Sequence, residues 1–235
     1  SSPVGTQIPQ CTGSAYASKL KGDDTVSICF FGEGTSSEGD FHVGLNFAGV
    51  WKAPAIFFCR NNGYAISTPY EKTTATEHIV LRAHGYGIRG ILVDGNDVLA
   101  VIKAVRDAAA WGRAGHGATL IEAKTYRLAA HSTSDDPSSY RSREEEQYWA
   151  DRCPLKRLRA YLESKGLWDD ARELACEETA SERIIAALTT AEAKSHPTLD
   201  TVFDDVFAER APHLQAQFEE MQAHVASGES DYVAR

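Results

Sequence analysis

No run of apolar residues in this 235-residue chain approaches the length a bilayer-spanning helix needs, so a membrane protein is not expected. An excess of positive charge is missing too. Lys and Arg number 24 against 33 Asp and Glu, for a net charge of -9, and the cations are scattered through acidic surroundings. That pattern makes no face for a phosphate backbone, and nucleic acid is not an expected partner. The five cysteines, Cys11, Cys29, Cys59, Cys153 and Cys176, are odd in number, widely spread and never in a C-x-x-C pair. A disulfide framework or structural zinc is therefore disfavoured, and a reducing compartment fits. The first ten residues have neither a basic stretch leading into an apolar one nor an Arg-rich amphipathic pattern, so no targeting signal is read there. With no initiator methionine, the text starts as though inside a folded domain, and a targeting signal removed, or lost with an upstream segment, is the expectation. Two phosphate motifs fail as well: there is no G-K-[ST], and Ser37 stands where a dinucleotide fingerprint needs its third glycine. Internal repeats and low-complexity tracts are absent.

What is there is ordinary globular composition, 43% hydrophobic and 24% charged, in a length suited to one main domain with a small second element. Small and apolar residues over 10–20 predict a helix closed by the Gly22-Asp23-Asp24 turn. Residues 26–31, β-branched and aromatic, read as a strand covered on both faces. Thr35-Ser36-Ser37-Glu38 matches a capping box and predicts a helix from there to about Trp51, where Lys52-Ala53-Pro54 stops it. Further strands are expected at 55–59, 91–93 and 119–123. Asp97 should cap a helix carrying Val98, Ile102, Val105 and Ala109 on one face. The alternation predicts an α/β fold: a doubly wound, mainly parallel sheet with its ligand beyond the strands' carboxyl ends. After Ala130 comes a polar loop, 131–140, then helical text in which Leu155, Leu158 and Leu162, and later Leu214, Phe218, Met221 and Val225, line apolar faces. The expected organisation is an α/β domain over 1–142, ending in a mobile loop at 131–142, and a helical extension over 143–235 that packs on the domain or on a partner.

Two loops at the sheet's carboxyl edge carry the chemistry. Magnesium prefers hard oxygen ligands and usually shares them with phosphates. Glu33 offers a carboxylate and Asn62 an amide oxygen, while Gly32 and Gly34 let the backbone approach a diphosphate. Free N-H groups of a helix opening near Thr35 would face it, and Arg60 adds a cation. Either loop alone is most often a plain turn; the combination at the ends of consecutive buried strands points to a metal diphosphate.

The strings G-E-G-T-S-S-E-G-D-F-H and F-F-C-R-N-N-G-Y-A-I-S-T-P resemble the thiamine-diphosphate motif of the decarboxylating alpha subunits of 2-oxo acid dehydrogenases. H-S-T-S-D-D-P-S-S-Y-R-S resembles that family's mobile, phosphorylatable loop. Similarity runs from Ser1 to about Trp168 and, more loosely, to the C-terminus. It leans to the branched-chain members, which share Glu where many thiamine enzymes carry Asp in G-D-G.

The resemblance implies magnesium held by Glu33, Asn62 and the Tyr64 carbonyl, and thiamine diphosphate contacted by Ser2, Gly34, Thr35, Arg60 and His131. It also implies a potassium ion at Ser1, Pro3, Thr6 and Gln7, where the alternative is an ordinary Pro-containing loop. His131 would act as a proton donor or acceptor during acyl transfer, and Arg127 would order the loop or meet a lipoyl domain; otherwise these are a solvated histidine and a surface cation. Ser132 and Ser142 match phosphorylation positions for a regulatory kinase, and a dianion at Ser132 would repel the diphosphate or unfold the loop. The implied partners are a beta subunit in an α2β2 heterotetramer, which supplies the activating carboxylate, a lipoyl-bearing acyltransferase, and a small 2-oxo acid substrate. The family's alpha subunits extend upstream of Ser1 with further diphosphate-binding groups. The expected location is intracellular, in the mitochondrial matrix for a eukaryote or the cytoplasm for a bacterium. Pyruvate or acetoin dehydrogenase alpha subunits are the near alternative. From other classes come a non-catalytic α/β interaction module and a magnesium-dependent phosphotransferase.

Overall fold

The computed structural model describes residues 3–195 and 197–228. Ser1 and Ser2, named above for potassium and cofactor, lie outside the described residues. Compactness divides the chain into two units, Ser1–Trp168 and Asp169–Arg235.

In the first unit, helix α1 (Gln7–Lys21) buries Ile8, Cys11, Thr12 and Ala15, one stripe at helical spacing. It starts three residues before the predicted Gln10 and ends at Gly22, whose φ of 75° closes the last turn through hydrogen bonds back to Lys19 and Ser18. Strand β1 (Ser27–Gly32) runs into a 3-10 helix, Glu33–Ser37, and then α2 (Gly39–Trp51). Here the capping box is corrected. Glu38 is extended, with φ -81° and ψ 146°, and makes no side-chain cap hydrogen bond. The backbone closes the turn instead, Glu38 N donating to Thr35 O at 3.0 Å. Thr35 and Ser36 are buried, so their side chains are committed to packing rather than to a solvent-facing cap.

Strand β2 (Ala55–Asn61) is buried apart from Arg60 and takes in Arg60 and Asn61, which the sequence reading placed in a loop. A short hairpin, β3 (Tyr64–Ala65) and β4 (Thr68–Pro69), and the 3-10 helix Ile79–Tyr86 lead to β5 (Arg89–Asp94). Asp97 caps α3 (Val98–Arg113) as expected, accepting from the Leu99 and Ala100 amides. The fully buried face is Ala104, Ala108 and Gly112; of the predicted stripe Val105 and Ala109 pack against this core, while Val98 and Ile102 stay exposed. Small residues allow close approach: a Cβ added to Gly112 would stand 3.3 Å from Pro54 Cβ. Strand β6 (Thr119–Lys124) completes the sheet.

All four long strands are parallel, in the order β1-β2-β6-β5. Consecutive pairs β1-β2 and β5-β6 therefore progress in opposite directions, and the right-handed crossover rule sends their connecting helices to opposite faces. Two cores show this: Ile8, Phe31, Phe41, Leu45 and Phe57 cluster on one face, while Ile56, Phe58, Ala104, Ala108 and Ile121 cluster on the other. The fold is the predicted doubly wound α/β sheet. Its winding reverses between β2 and β6, where a crevice forms beyond the carboxyl ends. Asn61 ends β2 there, in register with Lys124 of β6.

Beyond the sheet, α4 (Arg143–Ala150) is capped by Ser142, and α5 (Pro154–Ser164) leaves Leu158 and Leu162 half-buried but Leu155 exposed, against expectation, in its first turn. The second unit holds α6 (Asp170–Glu192), α7 (Thr201–Asp204) and α8 (Pro212–Ala226). Within it Phe218 is buried, its ring 5.5 Å from that of Phe203 and 3.8 Å from the Arg210 guanidinium. No helix among the described residues is long and apolar enough to cross a membrane.

Candidate functional site

Glu33 opens the 3-10 helix directly after β1 and is 1% exposed. Its Oε2 accepts from the Asn62 amide at 3.0 Å, joining the two loops that the sequence reading singled out. Burial of a carboxylate costs several kcal/mol per ion, about double what one charged hydrogen bond returns, so the group is not there for stability alone. Among the described residues Glu33 has no ion pair, which leaves it suited to a cation. Asn62 turns its Oδ1 onto the Tyr64 amide at 3.1 Å, and that oxygen keeps a second lone pair. Gly63 between them has φ 89°, a left-handed turn that favours glycine. The Glu33 carboxylate and the Asn62 amide thus meet at the carboxyl edge of the sheet, and the Asn62 side chain folds back onto the Tyr64 amide. No group of three His, Cys, Asp or Glu able to hold a metal exists among the described residues, so a metal here would rely on amide, carbonyl and phosphate oxygens beside one carboxylate.

The turn around Gly34 is built from close packing. A Cβ on Gly34 would come within 2.7 Å of Ala65 Cβ, so only glycine lets the 3-10 turn sit against the β3-β4 hairpin. Thr35 is buried beside it, and Ser36, wholly buried, keeps its Oγ without a hydrogen-bond partner among the described residues. Arg82 donates to the Ser36 carbonyl and, at 2.9 Å, to Thr74 Oγ1, pinning the turn from behind. Arg60, paired in register with Gly32, is exposed beside the turn. Of the potassium candidates, Pro3 is exposed, Thr6 precedes α1 without a side-chain cap bond, and Gln7 Nε2 donates to Phe30 O at 3.0 Å. Gly5 in the same turn packs against Thr35 and Glu38.

Residues 127–142 form a second, exposed assembly. The His131 amide and the Tyr140 hydroxyl both donate to Asp135 Oδ2, at 2.8 and 2.7 Å. Those two bonds, the His131 amide first, hold the Asp135 carboxyl below its ordinary value. Arg127 donates to the Tyr140 hydroxyl at 3.0 Å, to the Ile66 carbonyl at 2.5 Å and, more distantly at 3.4 Å, to the Tyr64 carbonyl. Ile66 has φ 57°, and this clamp holds that left-handed residue in place. Arg141 is buried, bonds the Arg127 and Leu128 carbonyls and pairs with Glu146 at 2.6 Å. His131 is exposed, Ser132 Oγ lies 3.2 Å from Ser134 Oγ, and Ser142 Oγ accepts from the Glu145 amide at 3.1 Å.

Two contributors escaped the sequence reading. Glu145 on α4 accepts from the Tyr64 hydroxyl on both carboxylate oxygens, at 3.0 and 2.9 Å. Burial, and then this carboxylate, raise the Tyr64 phenol above its usual range. Glu122 in β6, wholly buried, takes Asn61 Nδ2 at 2.6 Å and the Val80 amide at 2.8 Å. A lone Glu in the middle of a strand and a Glu in a run of three gave no signal by pattern. A cavity of about 500 Å³ at the ends of β5 and β6, lined by Asp94, Asn96, Lys124, Trp149, Arg152 and Arg157, lies apart from Glu33.

Fold and site together define a class: a doubly wound α/β scaffold with an acid-amide pair, suited to a metal diphosphate, at its switch point. Comparison with known proteins assigns the family within it. A family model described as dehydrogenase E1 component matches residues 1–200, and the chain belongs to that family. It is 47% identical over 226 residues to the mitochondrial 2-oxoisovalerate dehydrogenase subunit alpha of Bos taurus, covering 96% of this chain and 50% of that protein. It is 45% identical to the 3-methyl-2-oxobutanoate dehydrogenase subunit alpha of Mycobacterium tuberculosis H37Rv, covering 95% and 61%. The Caenorhabditis elegans 2-oxoisovalerate dehydrogenase subunit alpha is 42% identical, with 99% and 54% covered. The chain thus spans about half to three fifths of the length of these relatives.

Proposed function

We propose that this chain is the cofactor-binding part of the alpha subunit of a thiamine-diphosphate-dependent branched-chain 2-oxo acid dehydrogenase, which decarboxylates its substrate oxidatively and passes the acyl group to lipoamide. The reading is carried by Glu33, a buried carboxylate with no ion pair among the described residues, which bonds the Asn62 amide at the carboxyl edge of the sheet. It is supported by family membership and by relatives named for 2-oxoisovalerate and 3-methyl-2-oxobutanoate.

Glu33, Asn62 and the Tyr64 carbonyl would hold magnesium. Gly34, Thr35, Arg60, His131 and Ser2 would contact the cofactor, the last from outside the described residues. When bound, thiamine diphosphate supplies a carbon nucleophile and an electron sink for decarboxylation. The chain's own work is to place the diphosphate, to order the hairpin beside Gly34, and to hold at His131 an imidazole able to donate or accept a proton. His131 is kept in place through its backbone, its amide fixed by Asp135, while the ring stays exposed. A dianion on Ser132 would set negative charge within this network, and one on Ser142 would meet the acidic first turn of α4, formed by Glu144, Glu145 and Glu146. Both serines are proposed as kinase targets. Potassium is proposed at the turn of Ser1, Pro3, Thr6 and Gln7. The proposed partners are a beta subunit in an α2β2 assembly and a lipoyl-bearing acyltransferase, within the mitochondrial matrix or the bacterial cytoplasm.

Titration calorimetry of the assembled full-length enzyme with thiamine diphosphate and Mg²⁺ tests this. Saturable, Mg²⁺-dependent binding that Glu33→Ala abolishes is the expected result. Unchanged affinity in that variant would refute the ligand role, and no binding in the wild-type assembly would refute the function.

A further inference from the structure

Asn62 and Glu33 are the groups to which the proposed function assigns the metal, yet nothing in either explains why the end of β2 is held where it is. The next shell does. Asn61, wholly buried, uses both ends of its side chain: Oδ1 accepts from the Gly63 amide at 3.2 Å and Nδ2 donates to Glu122 Oε1 at 2.6 Å. The other Glu122 oxygen accepts from the Val80 amide at 2.8 Å, at the start of the 3-10 helix Ile79–Tyr86. The His78 ring stands beside it, with Nδ1 4.0 Å from Oε1, beyond hydrogen-bonding distance, and that nitrogen is buried without a hydrogen-bond partner among the described residues. Glu122 therefore carries its burial largely on two donors, one of which is the Asn61 amide. With Gly63 fixed on its other end, Asn61 cannot flip without setting its oxygen against the Glu122 carboxylate.

We propose that Glu122 is a positioning residue for the metal site: through Asn61 it sets the Asn61-Asn62-Gly63 turn, and so the placing of Asn62 and the Tyr64 carbonyl. The proposal rests on the metal-diphosphate reading of Glu33 and Asn62. A glutamate that merely stabilised the sheet would, when changed, lower the melting temperature and leave the Mg²⁺ requirement alone. A positioning residue must move the Mg²⁺ requirement itself.

The test is Mg²⁺-dependent thiamine diphosphate binding to the assembled full-length enzyme by calorimetry, with Mn²⁺ binding followed by electron paramagnetic resonance as a readout free of turnover. Glu122→Gln places an amide N-H₂ against either Asn61 Nδ2 or the Val80 amide, so one donor loses its acceptor. The half-saturating Mg²⁺ should rise about tenfold, the equivalent of one charge-assisted hydrogen bond. Cofactor affinity at saturating Mg²⁺ should stay within about threefold of wild type. Adding Asn61→Asp reverses the pair: the new amide donates to the new carboxylate, while the Gly63 and Val80 bonds keep their acceptors. This double variant should bring the Mg²⁺ dependence back to within about threefold of wild type. An unchanged Mg²⁺ requirement in Glu122→Gln, or no recovery in the reversed pair, overturns the proposal. If Glu122→Gln does not fold, Asn61→Ser removes the same bond from the other side, and an unchanged requirement there is equally decisive. Glu33→Ala run alongside separates the two readings. Lost binding there with an unmoved Glu122→Gln sinks only the positioning role, whereas retained Mg²⁺-dependent binding in Glu33→Ala sinks the metal site itself.

Discussion

The crevice between β2 and β6 and the loop over 127–142 both serve the proposed site, but they are held by opposite means. At the crevice, Glu33, Asn61 and Glu122 are buried, and their hydrogen bonds run between sheet elements whose register is set by core packing. In the loop, His131, Asp135 and Ser132 are exposed or nearly so, and order comes from hydrogen bonds with Arg127, Tyr140 and Arg141. Low dielectric makes the first set strong and costly to disturb; solvent and salt screen the second and leave it open to proton or phosphate. On the proposed function, the consequence is a buried cradle for the metal beside a loop that conditions or modification would release.

The contrast predicts a ranking of effects. Glu33→Ala should remove Mg²⁺-dependent cofactor binding outright, as measured by calorimetry. Next comes the Glu122→Gln shift in Mg²⁺ requirement, with its reversal by Asn61→Asp. Gly34→Ala should weaken cofactor binding by a comparable factor, about tenfold, because its methyl would lie 2.7 Å from Ala65 Cβ. The same titration on Gly34→Ala with Ala65→Gly should recover most of the loss, and no recovery would detach the hairpin contact from the site. Arg141→Ala should leave the Arg127 and Leu128 carbonyls without a donor, at about 1–3 kcal/mol locally. Faster amide exchange confined to 127–142, with cofactor affinity little changed, is the expected signature. Loss of affinity as large as at Glu33 would erase the distinction between the two regions.

The smallest effect concerns Asp135, whose carboxyl is held low by the His131 amide and the Tyr140 hydroxyl. A depressed value means the folded loop favours the charged form, so its contribution is present above the ordinary carboxylate value and is lost as pH falls through the lowered one. Proteolysis at 131–142 should therefore be flat through neutrality and rise only under acid conditions, below about pH 4. Asp135→Asn should flatten that rise by starting from a looser loop. A rise already present near pH 6 would assign the ordering to another group.

Much of the scaffold was readable from the sequence because its signals are local. Buried parallel strands are continuous apolar runs, and Asp97 before an apolar-periodic stretch caps α3 through its own side chain. Glu33 and Asn62 were placed at one site because each follows a buried strand, and strand ends of a parallel sheet share an edge. The capping box failed because burial of Thr35 and Ser36 outranks a local hydrogen bond. The α3 stripe was half right: Val105 and Ala109 pack on the core, but Val98 and Ile102 do not, because the sheet receives most closely the face with the smallest side chains.

The sequence by itself determined the alternation of strands and helices, hence a doubly wound sheet, and the residue types that can hold a metal diphosphate. Only the tertiary structure decided which other groups stand behind them. Glu122 lies 61 residues from Asn61, and Glu145 lies 81 from Tyr64. Contacts at such separations follow from strand order and helix packing rather than from any spacing along the chain, because only the closed sheet brings the donors and acceptors within reach.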